Sequence, residues 1–194
     1  MLAAVQTTLA ILIRRTRLTD TSLIIHWFTR DYGLVKTVAK GARRPKSPFA
    51  GKLDLFFGGE ICIVRARHSE LHTLREVSIC DWRDGVRQHY SATLLAAYFA
   101  QLIELAVEPE HPEPELYGLL HRALDHVSTA GASLRALRHF ESEVARLLGV
   151  AHHQHPALLC LQDALGALPD SRRALLEQLS PSESFCSSRE GSVC

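Results

Sequence analysis

Long apolar runs are absent from this sequence of 194 residues, although 46% of the residues are hydrophobic. The apolar segment at residues 1–13 is too short for a membrane-spanning helix and has neither a positively charged start nor a small-residue cleavage site. It runs directly into Arg14 and Arg15, so a strand is the better interpretation. We therefore expect a cytoplasmic protein with no membrane partner.

Cysteines are few, and no C-x-x-C pair occurs among the five that are present. Wide spacing in a chain without an export signal argues against a disulfide framework and predicts reduced thiols. Three histidines at residues 152–155 lie near Cys160, with Cys186 and Cys194 further along, but this spacing is poor for a tetrahedral zinc site. We expect no cofactor and no metal, with solvated histidines as the simpler interpretation and structural zinc as the open alternative.

Signatures of catalysis are also missing. The segment 41–47 is not a phosphate-cradling nucleotide loop, because that pattern needs a glycine directly before its lysine and Pro45 stands there. No nucleophile elbow occurs, and the carboxylates of residues 108–115 alternate with prolines rather than clustering around two metal ions. We expect a protein that is not an enzyme, with a metal-dependent nuclease as the remote alternative.

Positive charge is confined largely to one part of the chain. Residues 1–85 hold 14 lysines and arginines against 8 carboxylates, a formal charge of +6, whereas residues 86–194 hold 8 against 13, a charge of −5. All four lysines lie at or before Lys52. This division favours a cationic module for an anionic ligand, followed by an acidic module for protein contacts or solubility.

The most informative segment is residues 31–47, an extended strand that continues into a basic loop. The two-residue period places Val35 and Thr37 on one face, and Lys36 and Lys40 together on the other. Further cations follow without an intervening carboxylate, an arrangement that repels itself unless an anion is bound. A polyanion such as nucleic acid is the natural counter-charge.

We predict a nucleic-acid surface that neutralises phosphates, because such contacts release counterions and give affinity that does not depend on base sequence. The predicted residues are Arg14, Arg15, Lys36, Lys40, Arg43, Arg44, Lys46, Arg65 and Arg67. Arg65 and Arg67 are placed on one face of a strand, opposite Cys62, Val64 and Ala66. Trp27 or the pair Phe56-Phe57 could stack on unpaired bases, with a core position as the alternative for Trp27.

The pattern of the first eighty residues predicts strands separated by short polar turns. The predicted strands are Thr8–Arg15, Ser22–Thr29, Leu34–Lys40, Glu60–Arg67 and Leu71–Ile79. One long connection, residues 41–59, separates the third strand from the fourth. Five strands with one long excursion fit a small barrel of the OB type, which leaves few exposed sheet edges.

The apolar period becomes helical after about residue 86. The predicted helices are Ser91–Val107, Glu115–Val127 and Ser133–Leu148, with shorter ones near Pro156–Leu165 and Asp170–Leu179. The sequence therefore predicts an α+β protein: a five-stranded OB-type barrel over residues 1–82, an all-helical domain over 83–180, and a serine-rich, flexible tail over 181–194.

Several segments of the chain form a recognisable pattern. In the first half these are Leu18-Thr-Asp-Thr-Ser-Leu23, Phe28-Thr-Arg-Asp-Tyr-Gly33, Val38-Ala-Lys-Gly-Ala-Arg-Arg-Pro-Lys-Ser47, Leu53-Asp-Leu-Phe56 and Leu71-His-Thr-Leu-Arg-Glu-Val77. The segments Leu134-Arg-Ala-Leu-Arg-His-Phe-Glu141 and Leu147-Leu-Gly-Val150 extend the pattern to about residue 150. In order and spacing these segments resemble the RecO family of recombination mediator proteins.

The resemblance implies an OB barrel and a helical domain that bind single- and double-stranded DNA and anneal complementary strands. It also implies help in loading recombinase on DNA coated with single-strand-binding protein, usually with a RecR partner, and hence a nucleoid association. Many members carry a four-cysteine zinc site, which is not carried over here because the paired cysteines are missing. The family's pocket for the tail of single-strand-binding protein lies in the helical domain, where the candidate residues are Arg122, Arg135, Leu137, Arg138 and Phe140.

A protein adaptor is the alternative from another functional class. In that interpretation the OB module binds an acidic partner through the same basic loop, and nucleic acid is a bystander. A pull-down with and without nuclease treatment distinguishes the two.

Overall fold

The computed structural model describes residues 5–179. Five strands come first: β1 (Val5–Arg17), β2 (Leu23–Thr29), β3 (Gly33–Ala39), β4 (Gly58–Val64) and β5 (Leu71–Asp81). A 3-10 turn (Asp84–Arg87) leads to five helices: α1 (Tyr90–Ala106), α2 (Pro114–Ala130), α3 (Leu134–Leu147), α4 (Ala157–Leu165) and α5 (Ser171–Leu179). The predicted α+β architecture of a five-stranded barrel followed by helices is confirmed. The predicted tail, with Cys186 and Cys194, lies outside the described residues.

The strands form a closed barrel in the order β1-β2-β3-β5-β4. Neighbouring strands are antiparallel except β3 and β5, which pair in parallel through Lys36 to Val38. A register shift between Leu12 and Arg14 bends β1, which pairs with both β2 and β4. Closure gives each of the five strands two neighbours, so the barrel formed within residues 5–179 leaves no long strand edge open for pairing with another chain.

Alternation along the strands fills the barrel interior. Val35, Thr37 and Ala39 are buried, as the two-residue period predicts, while Lys36 lies on the outer side. Trp27 is 1% exposed, and its Nε1 donates a hydrogen bond to Thr37 Oγ1 at 2.9 Å. A buried indole whose one donor is satisfied belongs to a core, so the core interpretation of Trp27 is confirmed.

The predicted stacking platforms are wrong. Trp27, Phe56 and Phe57 are each buried, with exposed fractions of 1%, 3% and 6%. Phe56 packs in the core that the barrel shares with the helices. None of these three rings offers a face to an incoming base.

The end of β4 also differs from the prediction. Val64 is the last residue of the strand, and the inward positions are Ile61 and Ile63. The Ala66 N–H donates a hydrogen bond to His72 Nδ1 (3.2 Å) instead of pairing with a neighbouring strand. The predicted strand face shared by Arg65 and Arg67 is therefore wrong, because both residues follow the strand in an irregular connection.

One apolar core joins the barrel to the helices. Ile11, Ile13 and Phe28 on the outer side of the barrel belong to the same cluster of buried side chains as the apolar residues of α1 to α5. Eight of the 17 residues of α1 are buried, and Phe99 among them stacks on Phe140 of α3, with ring centroids 3.9 Å apart. The continuous core fixes the helices against the barrel.

A buried arginine connects the end of the sheet to α2. Arg83 is 6% exposed, and its guanidinium donates to Asp125 Oδ1 (2.7 Å) and to the Phe56 carbonyl oxygen (2.7 Å). Its Nη2 also lies 3.5 Å from Asp81. His121 lies between the same two carboxylates, at 3.0 Å and 3.1 Å. This charged group holds the barrel and α2 together.

Candidate nucleic-acid interface

The basic loop, residues 40–53, contains five cations and no carboxylate. It leaves β3 through Gly41, whose φ of 68° is the left-handed conformation that glycine adopts without strain. Successive turns follow, in which Arg44 N–H donates to the Gly41 carbonyl and Ser47 N–H to the Arg44 carbonyl, both at 3.0 Å. Phe49 and Leu53, each 6% exposed, pack in the barrel core and hold the loop in place.

Most cations of the basic loop are available to a ligand. Lys40, Arg43, Arg44 and Lys46 are all exposed. Arg43 Nη1 donates to the Asp20 carbonyl oxygen at 3.3 Å, a contact that leaves its charge uncompensated. Among residues 5–179, no ion pair or side-chain hydrogen bond involves Lys40, Arg44 or Lys46.

A cleft of about 530 Å³ lies beside the basic loop. The charged residues that line this loop cleft are Arg15, Arg17, Arg43 and Asp54. Arg15 Nη1 donates to the Leu53 carbonyl (2.9 Å) and lies 3.3 Å from Asp54 Oδ1. The fold thus brings Arg15 and Arg43 together.

Arg17 also lines the loop cleft, although it is not among the residues predicted from the sequence. Its guanidinium forms an ion pair with Asp20. The sequence does indicate its position. Arg15 and Arg17 are two residues apart on β1, so they share a strand face, and a cleft that contains Arg15 can also contain Arg17.

Arg14 and Lys36 lie elsewhere, in a row across the outer side of three strands. Arg14 pairs in register with His26, and His26 with Lys36. Arg14 forms an ion pair with Glu104 of α1, whose Oε1 also lies 3.3 Å from His26 Nδ1. Lys36 Nζ lies 3.3 Å from Glu70. Each cation of this row therefore has a carboxylate of the protein beside it.

Glu104 is held as a carboxylate by these neighbours. Its partial burial favours the neutral acid, but the hydrogen bond from His26 and the charge of Arg14 outweigh that effect and hold its pKa below the ordinary value. A negative charge thus stays next to Arg14 near neutral pH.

Arg65 is likewise matched by a carboxylate. It forms an ion pair with Glu110, and its guanidinium lies 5.8 Å from the centroid of the Tyr32 ring. His72 Nε2 approaches the same carboxylate at 3.1 Å. Arg67 is exposed in the connection after β4. The nine predicted residues therefore do not form one surface. Lys40, Arg43, Arg44 and Lys46 belong to the basic loop, and Arg15 lines the cleft. Arg14, Lys36 and Arg65 pair with acidic side chains, and Arg67 lies in the connection after β4.

A second cavity, of about 560 Å³, opens between α2 and α3. Its apolar lining includes Phe99, Leu119 and Phe140, and its rim carries the cationic or titratable side chains Arg122, His126, Arg135 and His139. Glu143 also lines this helical cavity, where the hydrogen bonds from Arg146 hold its pKa below the ordinary value. An apolar floor with a mainly basic rim can bury an apolar group and pair with an anionic one.

The predicted pocket residues divide in the structure. Arg122, Arg135 and Phe140 line the helical cavity. Leu137 is fully buried in the core, and Arg138 is exposed on α3 but is not part of the lining. On α3, Leu137 lies two positions after Arg135, and Arg138 lies two positions before Phe140. The 3.6-residue period of the helix turns side chains two positions apart to different faces.

Within residues 5–179, no three histidine, cysteine, aspartate or glutamate side chains are arranged to hold a metal ion. His152 and His155 lie close together, with ring centroids 5.2 Å apart, and Cys160 is buried in α4. Because Cys186 and Cys194 are outside the described range, the expectation of no zinc site stays a prediction. None of the helices in the described part of the chain has both the length and the apolar character needed to cross a bilayer.

Comparison with known proteins gives matches along both parts of the chain. A family described as "Recombination protein O N terminal" matches residues 2–83, and one described as "Recombination protein O C terminal" matches residues 87–173. The DNA repair protein RecO of Rhodopirellula baltica is 30% identical over 156 residues, covering 80% of this chain and 58% of that protein.

Two further relatives carry the same name. The DNA repair protein RecO of Synechococcus elongatus is 30% identical over 169 residues, covering 86% of this chain and 62% of that protein. That of Nitrosospira multiformis is 33% identical over 135 residues, covering 68% and 53%. The chain thus spans little more than half the length of the relatives it matches.

Proposed function

Since the chain belongs to the RecO family of DNA repair and recombination proteins, we propose that it binds single- and double-stranded DNA through the basic loop and anneals complementary strands. It would also help to load recombinase on DNA coated with single-strand-binding protein. The observation that carries the proposal is the group of exposed cations Lys40, Arg43, Arg44 and Lys46, none of which is neutralised by a carboxylate among the residues described.

The mechanism needs no covalent step. Cations that replace condensed counterions hold the sugar–phosphate chain in a way that does not depend on base sequence. When two strands bind side by side, the same cations reduce the repulsion between their phosphates. Base pairing then supplies the free energy that drives annealing.

The loop cleft adds a second set of contacts to this surface. Arg15 and Arg17 line it from β1, and Arg43 lines it from the basic loop. A strand bound along the loop would pass these three guanidinium groups, whose planar forks match phosphate oxygens well. Asp54 in the same cleft limits the net charge there, so we expect the exposed loop to contribute more affinity than the cleft does.

The helical cavity is our candidate site for the acidic tail of single-strand-binding protein. Arg122 and Arg135 would pair with carboxylates of the tail, and the apolar floor that includes Phe140 would bury an aromatic side chain. A RecR-type mediator is a further expected partner. We expect the protein to act in the cytoplasm, in association with the nucleoid.

Strand annealing across salt concentrations tests the main proposal. Two complementary labelled oligonucleotides should anneal faster with the protein than without it, and this acceleration should fall as salt rises. The triple variant Lys40→Ala, Arg43→Ala, Arg44→Ala should lose most of the acceleration while keeping the far-ultraviolet circular dichroism of the parent. An unchanged annealing rate in the variant would remove the basic loop from the mechanism.

The tail site is tested with a synthetic acidic peptide ending in a phenylalanine. Arg135→Ala should weaken its binding about tenfold, because a charge-assisted hydrogen bond to a carboxylate is lost. Arg138→Ala is the matched control, since it removes the same charge from the same helix outside the helical cavity. Equal losses in both variants would show only a general charge effect and would contradict the site.

A further inference from the structure

Trp82 is an exposed aromatic residue that the mechanism above does not use. It follows the end of β5 and is 46% exposed, although tryptophan is highly buried on average. Among the Phe, Tyr and Trp side chains of residues 5–179, only Tyr90, at 66%, is exposed to a comparable degree. Trp82 is thus the exposed indole of a chain that contains two tryptophans, the other being the buried Trp27.

The indole is held in a defined position. It packs edge-on against Phe57, with ring centroids 5.0 Å apart and an interplanar angle of 77°. The guanidinium of Arg87 lies over the Phe57 ring, 4.5 Å from its centroid, and Arg87 Nη1 donates to the Trp82 carbonyl oxygen at 3.2 Å. A ring supported in this way loses little conformational entropy when a ligand stacks on it.

These contacts continue to the loop cleft. Asp54 Oδ2 lies 3.3 Å from Arg87 Nε, and Asp54 Oδ1 lies 3.3 Å from Arg15 Nη1. Both Arg15 and Asp54 line the cleft beside the basic loop. A chain of direct contacts therefore runs from the exposed indole through Phe57, Arg87 and Asp54 to the arginine at the cleft.

We propose that Trp82 stacks on an unpaired base of a single DNA strand whose phosphates are bound at the loop cleft and the basic loop. The proposal rests on the DNA-binding function proposed above and adds to it the site at which bases are contacted. Cations beside a supported, exposed aromatic ring are the combination that single-strand binders use, because every base has a face that can stack.

The proposal also predicts a preference between the two forms of DNA. In a duplex each base already stacks on its neighbours, so the indole has no free base face to contact. Phosphate contacts, in contrast, are available in both forms. Trp82 should therefore add affinity for single strands only, and the basic loop should add affinity for both.

Tryptophan fluorescence provides the test, with an oligodeoxythymidine as the probe. Stacking of a base on the indole should quench the emission of the wild-type protein. The emission of Trp82→Phe comes from the buried Trp27 and should not change. A duplex of equal length should bind without quenching, and binding itself is followed separately by the anisotropy of the labelled DNA.

Affinity measurements supply a second readout. Trp82→Ala should bind the oligodeoxythymidine about tenfold more weakly, whereas Trp82→Phe, which keeps a ring, should stay close to the wild type. An abasic oligonucleotide of the same length, which has the phosphates without the bases, should bind wild type and Trp82→Ala equally. Tyr90→Ala is the matched control and should leave affinity unchanged.

The outcomes separate this proposal from the proposed function. Binding without quenching, or equal losses for Trp82→Ala and Tyr90→Ala, would overturn the stacking site and leave DNA binding intact; Trp82 would then be a candidate for a protein contact. Absence of any DNA binding in the wild type would overturn both. Quenching that requires Trp82, together with a loss of affinity confined to DNA that carries unpaired bases, would support the site.

Discussion

Two sets of cations on the same barrel differ in what surrounds them. Arg14, Lys36 and Arg65 each have a carboxylate of the protein at ion-pair distance, contributed by α1, by the connection before β5, or by the segment before α2. Lys40, Arg44 and Lys46 have no such partner among the residues described. The first set contributes to the fold, and the second is available to a polyanion.

The difference shows that the charge of a sequence segment is not the charge it offers to a ligand. The formal charge of +6 for residues 1–85 suggests a uniformly basic barrel. Docking of the helices brings Glu104 to Arg14, and the segment before α2 brings Glu110 to Arg65. The basic loop keeps four exposed cations that have no carboxylate partner among the residues described.

Among the cations of the protein, Arg83 is expected to contribute most to the stability of the fold. Its replacement should therefore differ most from the replacement of an exposed cation of the basic loop. Arg83→Ala should lower the free energy of unfolding by about 2–3 kcal/mol, because it leaves the buried Phe56 carbonyl without its donor and removes the guanidinium shared by the half-buried Asp81 and Asp125. Urea denaturation followed by circular dichroism measures the loss. A loss below about 1 kcal/mol would show that this group does not hold the barrel to α2.

A smaller effect is expected at Glu104. Glu104→Gln should cost about 1–2 kcal/mol at pH 7, because the charged hydrogen bonds with Arg14 and His26 are weakened. Since the pKa of Glu104 is lower in the folded protein than its ordinary value of 4.5, this stabilisation is complete above that pH and is lost as the pH falls through the lowered pKa.

Denaturation of wild type and Glu104→Gln at a series of pH values checks this dependence. The two unfolding free energies should differ most near neutral pH and should converge in acid. A difference that stays constant or grows as the pH falls would contradict the ion pairs assigned to Glu104.

The smallest effect on stability is expected in the basic loop. Arg44→Ala should change the unfolding free energy by less than about 0.5 kcal/mol, because the side chain is exposed and has no partner among residues 5–179. It should nevertheless reduce the salt dependence of single-strand binding by about 0.7 in the slope of log affinity against log salt. A stability loss comparable with that of Arg83→Ala would place Arg44 in the structural set instead.

The fold was largely predictable, because its signals are local. The two-residue period of β3 and the helical period of α1 to α3 come from the alternation of apolar and polar side chains, which the structure reproduces. The end of β4 was not predictable in this way. The alternation continues through Arg65 and Arg67, but pairing with β1 and β5 stops at Val64.

The candidate site was only partly predictable, because ion pairs depend on tertiary contacts. Arg14 and Glu104 are 90 positions apart, and no local pattern indicates that they meet. The exposure of Trp82 is likewise set by how the sheet ends beside Phe57 and Arg87. Composition identified the basic loop, but only the fold shows which cations lack a partner.

The salt dependence of single-strand binding, compared between two triple variants, is the decisive measurement. Replacing Lys40, Arg43 and Arg44 by alanine should lower the log–log slope by about 2, since each phosphate contact on a single strand contributes about 0.7. Replacing Arg14, Lys36 and Arg65 by alanine removes the same charge and should leave the slope nearly unchanged. An unchanged slope in the first variant, or equal reductions in both, would contradict the assignment of DNA binding to the basic loop.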